Sequence, residues 1–263
     1  MAAFIGIDLG TTFSAVATID ETGRPSIVHN QEGSNLTPSC VAAWGEGVMG
    51  VGEVARRQWG SALETAAARF KRDMGTSMTH SINGKEFTPT ELSTFVLRKL
   101  VKDAEVAIGP IGEVVVTIPA NFAHEAREAT MAAAKAAGLN VKYIINEPTA
   151  AALYYAFQSG KEMSGMYAVY DLGDGTFDVS IIRVDGHNVD VVATKITPTT
   201  CCPASTVFRA VGMNGRLAAN AWRRPGLQSP CAVVRYGLLR VGLVGPSVKG
   251  IVRCVRSPTG RAL

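Results

Sequence analysis

Along residues 1–195, apolar positions recur at two spacings: the alternation of a half-buried strand and the three-to-four spacing of an amphipathic helix. Phe4 to Ile7 is a short apolar run, and Ser14 to Ile19 alternates, which predicts strand, turn, strand. Glu21-Thr22-Gly23-Arg24 predicts a turn and Ser26 to His29 a short strand, while Val51 to Arg69 has helical composition. Thr88-Pro89-Thr90-Glu91 supplies an N-cap, Pro at the first helical position and Glu at the third. The helix it starts should bury Leu92, Phe95, Val96, Leu100 and Val101 on one face. Val114 to Ile118 is almost continuously apolar, as expected of a central strand buried on both faces. His124 to Ala137 predicts an Ala-rich helix stopped by Gly138, Val141 to Ile145 a strand, and Pro148 to Phe157 a second Ala-rich helix. Strands alternating with helices define an α/β fold.

The opening pattern returns later in the chain. Ile7-Asp8-Leu9-Gly10-Thr11-Thr12-Phe13-Ser14 reappears, altered, as Tyr170-Asp171-Leu172-Gly173-Asp174-Gly175-Thr176-Phe177-Asp178. The second copy follows the apolar run Met166 to Tyr170 and leads into the alternating Val179 to Val184. Two such hairpins suggest two related lobes facing each other. Backbone N–H groups of two Gly/Thr turns can surround a polyphosphate, and two aspartates can hold its Mg²⁺. A single Asp-Leu-Gly also ends many strands through a local turn, so the repetition carries the nucleotide reading.

Composition divides the chain. The net charge of +4 combines 26 basic and 22 acidic residues, but 196–263 contains no Asp or Glu and ten basic residues, nine Arg and Lys249. That leaves 16 basic and 22 acidic residues in 1–195, a balance of −6. Four of the five cysteines, Cys201, Cys202, Cys231 and Cys254, also lie in the tail. Prolines at 198, 203, 225, 230, 246 and 258 interrupt it, which predicts disorder or weak folding over 196–263. Cys201-Cys202 lacks a Cys-x-x-Cys partner and the tail has no His, so no metal site is expected there. No basic, apolar leader precedes the first strand, and Leu238 to Val244 is too short to span a bilayer. A cytoplasmic location without membrane contact is the expectation.

Two further segments carry candidate chemistry. Asn146-Glu147-Pro148-Thr149-Ala150-Ala151-Ala152-Leu153 sets a carboxylate at a helix start, where the macrodipole stabilises it and from which it can also face a ligand. Phe70-Lys71-Arg72-Asp73-Met74-Gly75 holds a Lys able to reach a phosphate, though taken alone it reads as a solvated charge cluster.

Five segments, Ile5 to Ser14, Phe70 to Gly75, Val116-Thr117-Ile118-Pro119-Ala120, Ile145 to Tyr154 and Asp171 to Ser180, occur in the order of the seventy-kilodalton heat-shock chaperone family. The chain resembles the first half of that family's ATPase domain, over about Phe4 to Lys195. The resemblance implies an actin-like (ribonuclease H-like) ATPase fold. The first lobe would occupy 1–165, with a small subdomain insertion at about 38–87, and the second would begin at 166–195. It implies ATP or ADP with Mg²⁺ as cofactors. Gly10, Thr11, Thr12, Phe13, Gly173, Gly175 and Thr176 would bind phosphates, and Asp8 and Asp171 would hold Mg²⁺. Lys71, Glu147, Asp171 and Thr176 would position the attacking water and the γ-phosphate, while Pro119 and Arg127 match residues that relay nucleotide state. Unfolded peptide clients and co-chaperones are the implied partners, but the peptide-binding domain has no counterpart here.

Two departures set this chain apart. Asp174 stands in a turn that is glycine in the family. A carboxylate about 4 Å from a phosphate costs about 1 kcal/mol in water and about 4 kcal/mol at an effective dielectric of 20. After Val192-Ala193-Thr194 the sequence passes abruptly into the acid-free tail. The expected function is an ATP-binding chaperone-family protein in truncated, impaired form, binding nucleotide weakly and turning it over poorly. The alternatives are a basic-tailed nucleic-acid-associated protein, whose tail has the charge but no ordered motif, and a sugar kinase of the same superfamily, for which no sugar-binding base is found.

Overall fold

The computed structural model describes residues 2–44, 47–160, 162–172, 176–186, 188–198, 237–244 and 247–254. The chain divides into two compact units, Met1–Glu147 and Pro148–Leu263. The fold is mixed α/β.

In the first unit β1 (Ala3–Asp8) turns back into β2 (Phe13–Ile19), followed by β3 (Pro25–Val28) and the short β4 (Thr37–Pro38). Next come β5 (Cys40–Ala43), β6 (Met49–Val51), α1 (Glu53–Ser61) and β7 (Ala66–Ala68). A 3₁₀ turn at Phe70–Asp73 leads to β8 (His80–Ile82), β9 (Lys85–Phe87) and the long α2 (Pro89–Ile108). β10 (Ile111–Ile118), α3 (His124–Ala136) and β11 (Asn140–Asn146) complete the unit. The main sheet runs β11-β10-β1-β2-β3, with β4 paired to β2. β10 lies centrally, parallel to both β1 and β11; Val114, Val116 and Ile118 on one face are fully buried, whereas Val115 and Thr117 on the other are only half-buried, so the burial expected on both faces is complete on one.

Local signals explain these elements. Thr88 and Glu91 form the expected capping box, and Glu91 Oε2 accepts from the Thr88 N–H at 2.8 Å. α2 packs Leu92, Val96, Leu97, Leu100 and Ala104 against Ile5, Ile7 and Val116 of the sheet. Phe95 and Val101, expected on the same face, pack at its margin. α3 ends in a Schellman motif: Leu139 N–H donates to Ala134 O at 3.0 Å and Gly138 N–H to Lys135 O at 2.9 Å, with Gly138 at φ 83°.

The helix expected across Val51 to Arg69 ends at Ser61. Ala66–Ala68 pairs instead with β5, Cys40 opposite Ala68 and Ala42 opposite Ala66. Buried Ala66 sits in a small core with Cys40, Ala42 and Ala55, where only short side chains let α1 and the strands approach closely. Tertiary packing overrides alanine's helix preference there.

The second unit contains most of α4 (Glu147–Ser159), then β12 (Ser164–Leu172), β13 (Thr176–Asp185), β14 (Asn188–Pro198), β15 (Gly237–Val244) and β16 (Ser247–Cys254). Its sheet runs β14-β13-β12-β16-β15. Ala151 and Ala152 of α4 pack with Met163, Tyr167, Val169, Ile182 and Val184, so the helix groups with this unit although the sequence reading assigned 148–165 to the first lobe. β15 and β16 fall in the tail for which disorder or weak folding is the expectation. Both lie between Pro230 and Pro258, and Pro246 falls between them, so proline leaves each strand uninterrupted. The rest of the tail beyond Pro198 lies outside the described residues.

Candidate functional site

The two hairpins share one register. Asp8 faces Ala15 across β1 and β2, and Asp171 faces Asp178 across β12 and β13, each pair seven positions apart in the chain. The sequence repeat is therefore a structural repeat. Of the second turn, Gly173, Asp174 and Gly175 lie outside the described residues, and Thr176 is described only as the start of β13.

In the first unit the turn from Leu9 to Thr12 is tightly built. A Cβ on Gly10 would meet Phe13 O at 1.9 Å, so no other residue fits without opening the turn. The Gly10 N–H donates inward to Ser14 Oγ at 3.1 Å, so Gly10 contributes shape, while Thr11 and Thr12 form the half-buried rim. The Phe13 ring is covered by the Arg56 guanidinium 4.8 Å from its centroid. Asp8, at the end of β1, accepts at Oδ1 from Thr117 Oγ1 at 2.9 Å, because the parallel register sets Thr117 beside it. This leaves a carboxylate held by a neutral donor beside a turn whose glycine cannot carry a side chain. That donor set fits a phosphate and its Mg²⁺.

The segment from Phe70 to Gly75 enters through a strained residue. Arg69 adopts φ 62°, a left-handed conformation that costs a side-chain-bearing residue about 1–2 kcal/mol. The next residues form the 3₁₀ turn that buries Phe70 and Lys71. Lys71 Nζ donates to Glu147 Oε1 at 2.8 Å, and the two side chains are 7% and 13% exposed. The Phe122 ring lies 5.7 Å from the same ammonium. Next to Glu147, Asn146 Oδ1 accepts from Arg127 Nη2 at 3.1 Å, and Arg127 Nε donates to Phe122 O at 3.2 Å. Lys71 is thus a buried, paired cation rather than a solvated charge, and Arg127 is tied to the strand end that precedes Glu147.

The structure brings Lys71 and Glu147 together and places Asp8 at the turn of Thr11 and Thr12. Asp171 is half-buried in the second unit. Thr117, Ser14, Ser39, Phe122 and Asn146 were not singled out from the sequence. Ser14, Thr117 and Asn146 lie inside segments that were, but their side-chain partners Ser39, Asp8 and Arg127 come from other elements.

A repeated hairpin with strand-end aspartates and a buried Lys71–Glu147 pair stand in a mixed α/β fold. The model of the Hsp70 protein family matches residues 4–200, and the chain belongs to that family. The matched residues are a portion of its N-terminal ATPase domain, and the fold is the family's actin-like ATPase fold. Membership makes this a chaperone-family ATPase sequence, with nucleotide binding and client or co-chaperone contacts as the family's general properties. Among the described residues no helix is long and apolar enough to cross a membrane.

Proposed function

We propose that this chain binds ATP and ADP with Mg²⁺, in the cytoplasm, and hydrolyses ATP slowly as an impaired form of the family's chaperone ATPase. The observation that carries the reading is the buried Lys71–Glu147 pair, 2.8 Å long, in the same unit as the Gly10 turn. A cation and a carboxylate held in fixed geometry suit a reaction governed by positioning and charge neutralisation. In this reading Thr11, Thr12 and Phe13 bind phosphate on the turn shaped by Gly10, and Gly173, Gly175 and Thr176 do so on the second turn. Asp8 and Asp171 would hold Mg²⁺. Lys71 and Glu147 orient the attacking water and the γ-phosphate, with Asp171 and Thr176 supporting them. Mg²⁺, when bound, supplies neutralisation of the phosphate charge.

Slow turnover is proposed on two grounds: Asp174 adds negative charge to the second turn, and residues beyond 200 fall outside the family match. Calorimetry with MgATP and MgADP and a single-turnover assay test the reading. The expected result is weak, Mg²⁺-dependent binding with turnover far below that of an intact family ATPase. Asp174→Gly should tighten binding about fivefold or more, the equivalent of roughly 1 kcal/mol or more of relieved repulsion. Nucleotide binding indifferent to Mg²⁺ and to Asp174→Gly would overturn it.

A further inference from the structure

Two buried serines from different strands meet beneath the first turn. Ser14 is 0% and Ser39 2% exposed, and their hydroxyl oxygens lie 2.9 Å apart. Ser39 Oγ is 2.7 Å from Gly10 O, a carbonyl that can only accept, so the single Ser39 hydroxyl proton is committed there. Ser14 must then donate to Ser39, and Ser14 Oγ in turn accepts from the Gly10 N–H at 3.1 Å. The three bonds close a ring that leaves from the N–H of Gly10 and returns to its C=O. Every proton in the ring has one allowed direction, and each bond polarises the next.

Ser39 also holds a second carbonyl, since its own N–H donates to Thr12 O at 2.8 Å. In a trans peptide the C=O and the following N–H point in opposite directions. Drawing the Gly10 and Thr12 carbonyls toward Ser39 therefore turns the N–H groups of Thr11 and Phe13 away from it. We infer that Ser39, completed by Ser14, is a positioning residue that aims the Thr11 and Phe13 amides at an anionic phosphate. The inference rests on the nucleotide reading above and names what orients that site. Ser39 is itself carried on a braced segment. Asn30 Nδ2 donates to Thr37 Oγ1, Gln31 Nε2 donates to Asp103 Oδ1 of α2, and Lys99 of α2 bonds both Glu32 and Asp103.

The test compares Ser39→Ala, Ser14→Ala and Ser39→Thr in the full chain, with MgADP as probe. Both serines are equally buried, so the two alanine variants should lose similar thermal stability. Their effects on binding should differ. Ser39→Ala releases the Gly10 carbonyl and should weaken MgADP binding at least about tenfold. Ser14→Ala leaves both carbonyls on Ser39 and should weaken it less, and Ser39→Thr, which keeps the hydroxyl, should restore it. In the ligand-free chain, NMR should show the Thr11 amide resonance displaced in Ser39→Ala and held in Ser39→Thr. If the unmodified chain binds MgADP and Ser39→Ala binds it equally well, the positioning role is wrong while the nucleotide reading stands. If the unmodified chain does not bind MgADP, the nucleotide reading fails and this inference with it. Should Ser39→Ala fail to fold, MgADP affinity in Ser14→Ala equal to that of the unmodified chain, with an unmoved Thr11 amide in Ser14→Ala, would overturn the role.

Discussion

Lys71 and Glu147 are 76 residues apart in the chain and 2.8 Å apart in space, with both side chains almost withdrawn from water. A lone buried charge is far costlier than a buried pair. Glu147→Ala should therefore destabilise the chain by about 3–5 kcal/mol, read as a lowered urea midpoint. The double variant Lys71→Met with Glu147→Leu should lose less than Glu147→Ala alone. Lys71→Ala should lower residual hydrolysis more than it lowers nucleotide affinity, since the proposed role lies in the transition state. Equal losses in turnover and affinity would count against that role.

Gly75 lies against the first turn of α3. At φ 76°, a Cβ there would fall 2.5 Å from Ala126 N and 2.6 Å from Glu125 C. Gly75→Ala should cost about 1–2 kcal/mol in backbone conformation and about 1–3 kcal/mol in overlap. Its thermal midpoint should fall well below that of Gly84→Ala, where φ is also positive but nothing lies within 4 Å.

Most of the fold was legible because its signals are local. The Thr88–Glu91 box, the buried face of α2 and the Gly138 stop each depend on residues within a few positions. Ala66–Ala68 was not legible, because three alanines read as helix and only the neighbouring β5 makes them a strand. The same holds at the site. Asp8 and Glu147 stand out as carboxylates at element ends. Thr117 reaches Asp8 across 109 residues and Ser39 reaches Gly10 across 29, distances over which no spacing rule speaks.

The capping box also predicts a pH response. The Thr88 N–H, then its hydroxyl, donate to Glu91 and hold its carboxyl below the usual range. A carboxyl with a lowered folded pKa adds stability above its unfolded value, and that stability is lost as pH falls through the folded value. Thr88→Ala should cost about 1 kcal/mol at neutral pH, and the gap from the unmodified chain should narrow as Glu91 protonates. Denaturant midpoints from pH 7 down to 3 would show it, and a gap that widens with acid would refute it.

Cys40 gives the opposite sign. Burial pushes its thiol up to about 12, so it stays neutral at physiological pH. A raised folded pKa favours the folded state below the unfolded value and loses that benefit as pH rises toward the folded one. Between about pH 9 and 12, the unmodified chain should lose stability faster than Cys40→Ala. Native-state alkylation mapped by mass spectrometry should leave Cys40 unmodified at pH 8, and modification there before unfolding would contradict its burial.

The register of β1 with β10, Ala3 opposite Ile111 and Asp8 opposite Thr117, also sets a timetable for folding. β1 cannot find its parallel neighbour until about a hundred further residues have been made. β12, β13 and β14 instead form a meander of successive antiparallel partners. Hairpins of that kind form in about 1–10 μs, whereas sheets of distant strands close slowly. During synthesis β1 and β2 must wait as an incomplete hairpin with one edge open, and that interval is when this chain is most exposed to pairing with the wrong strand.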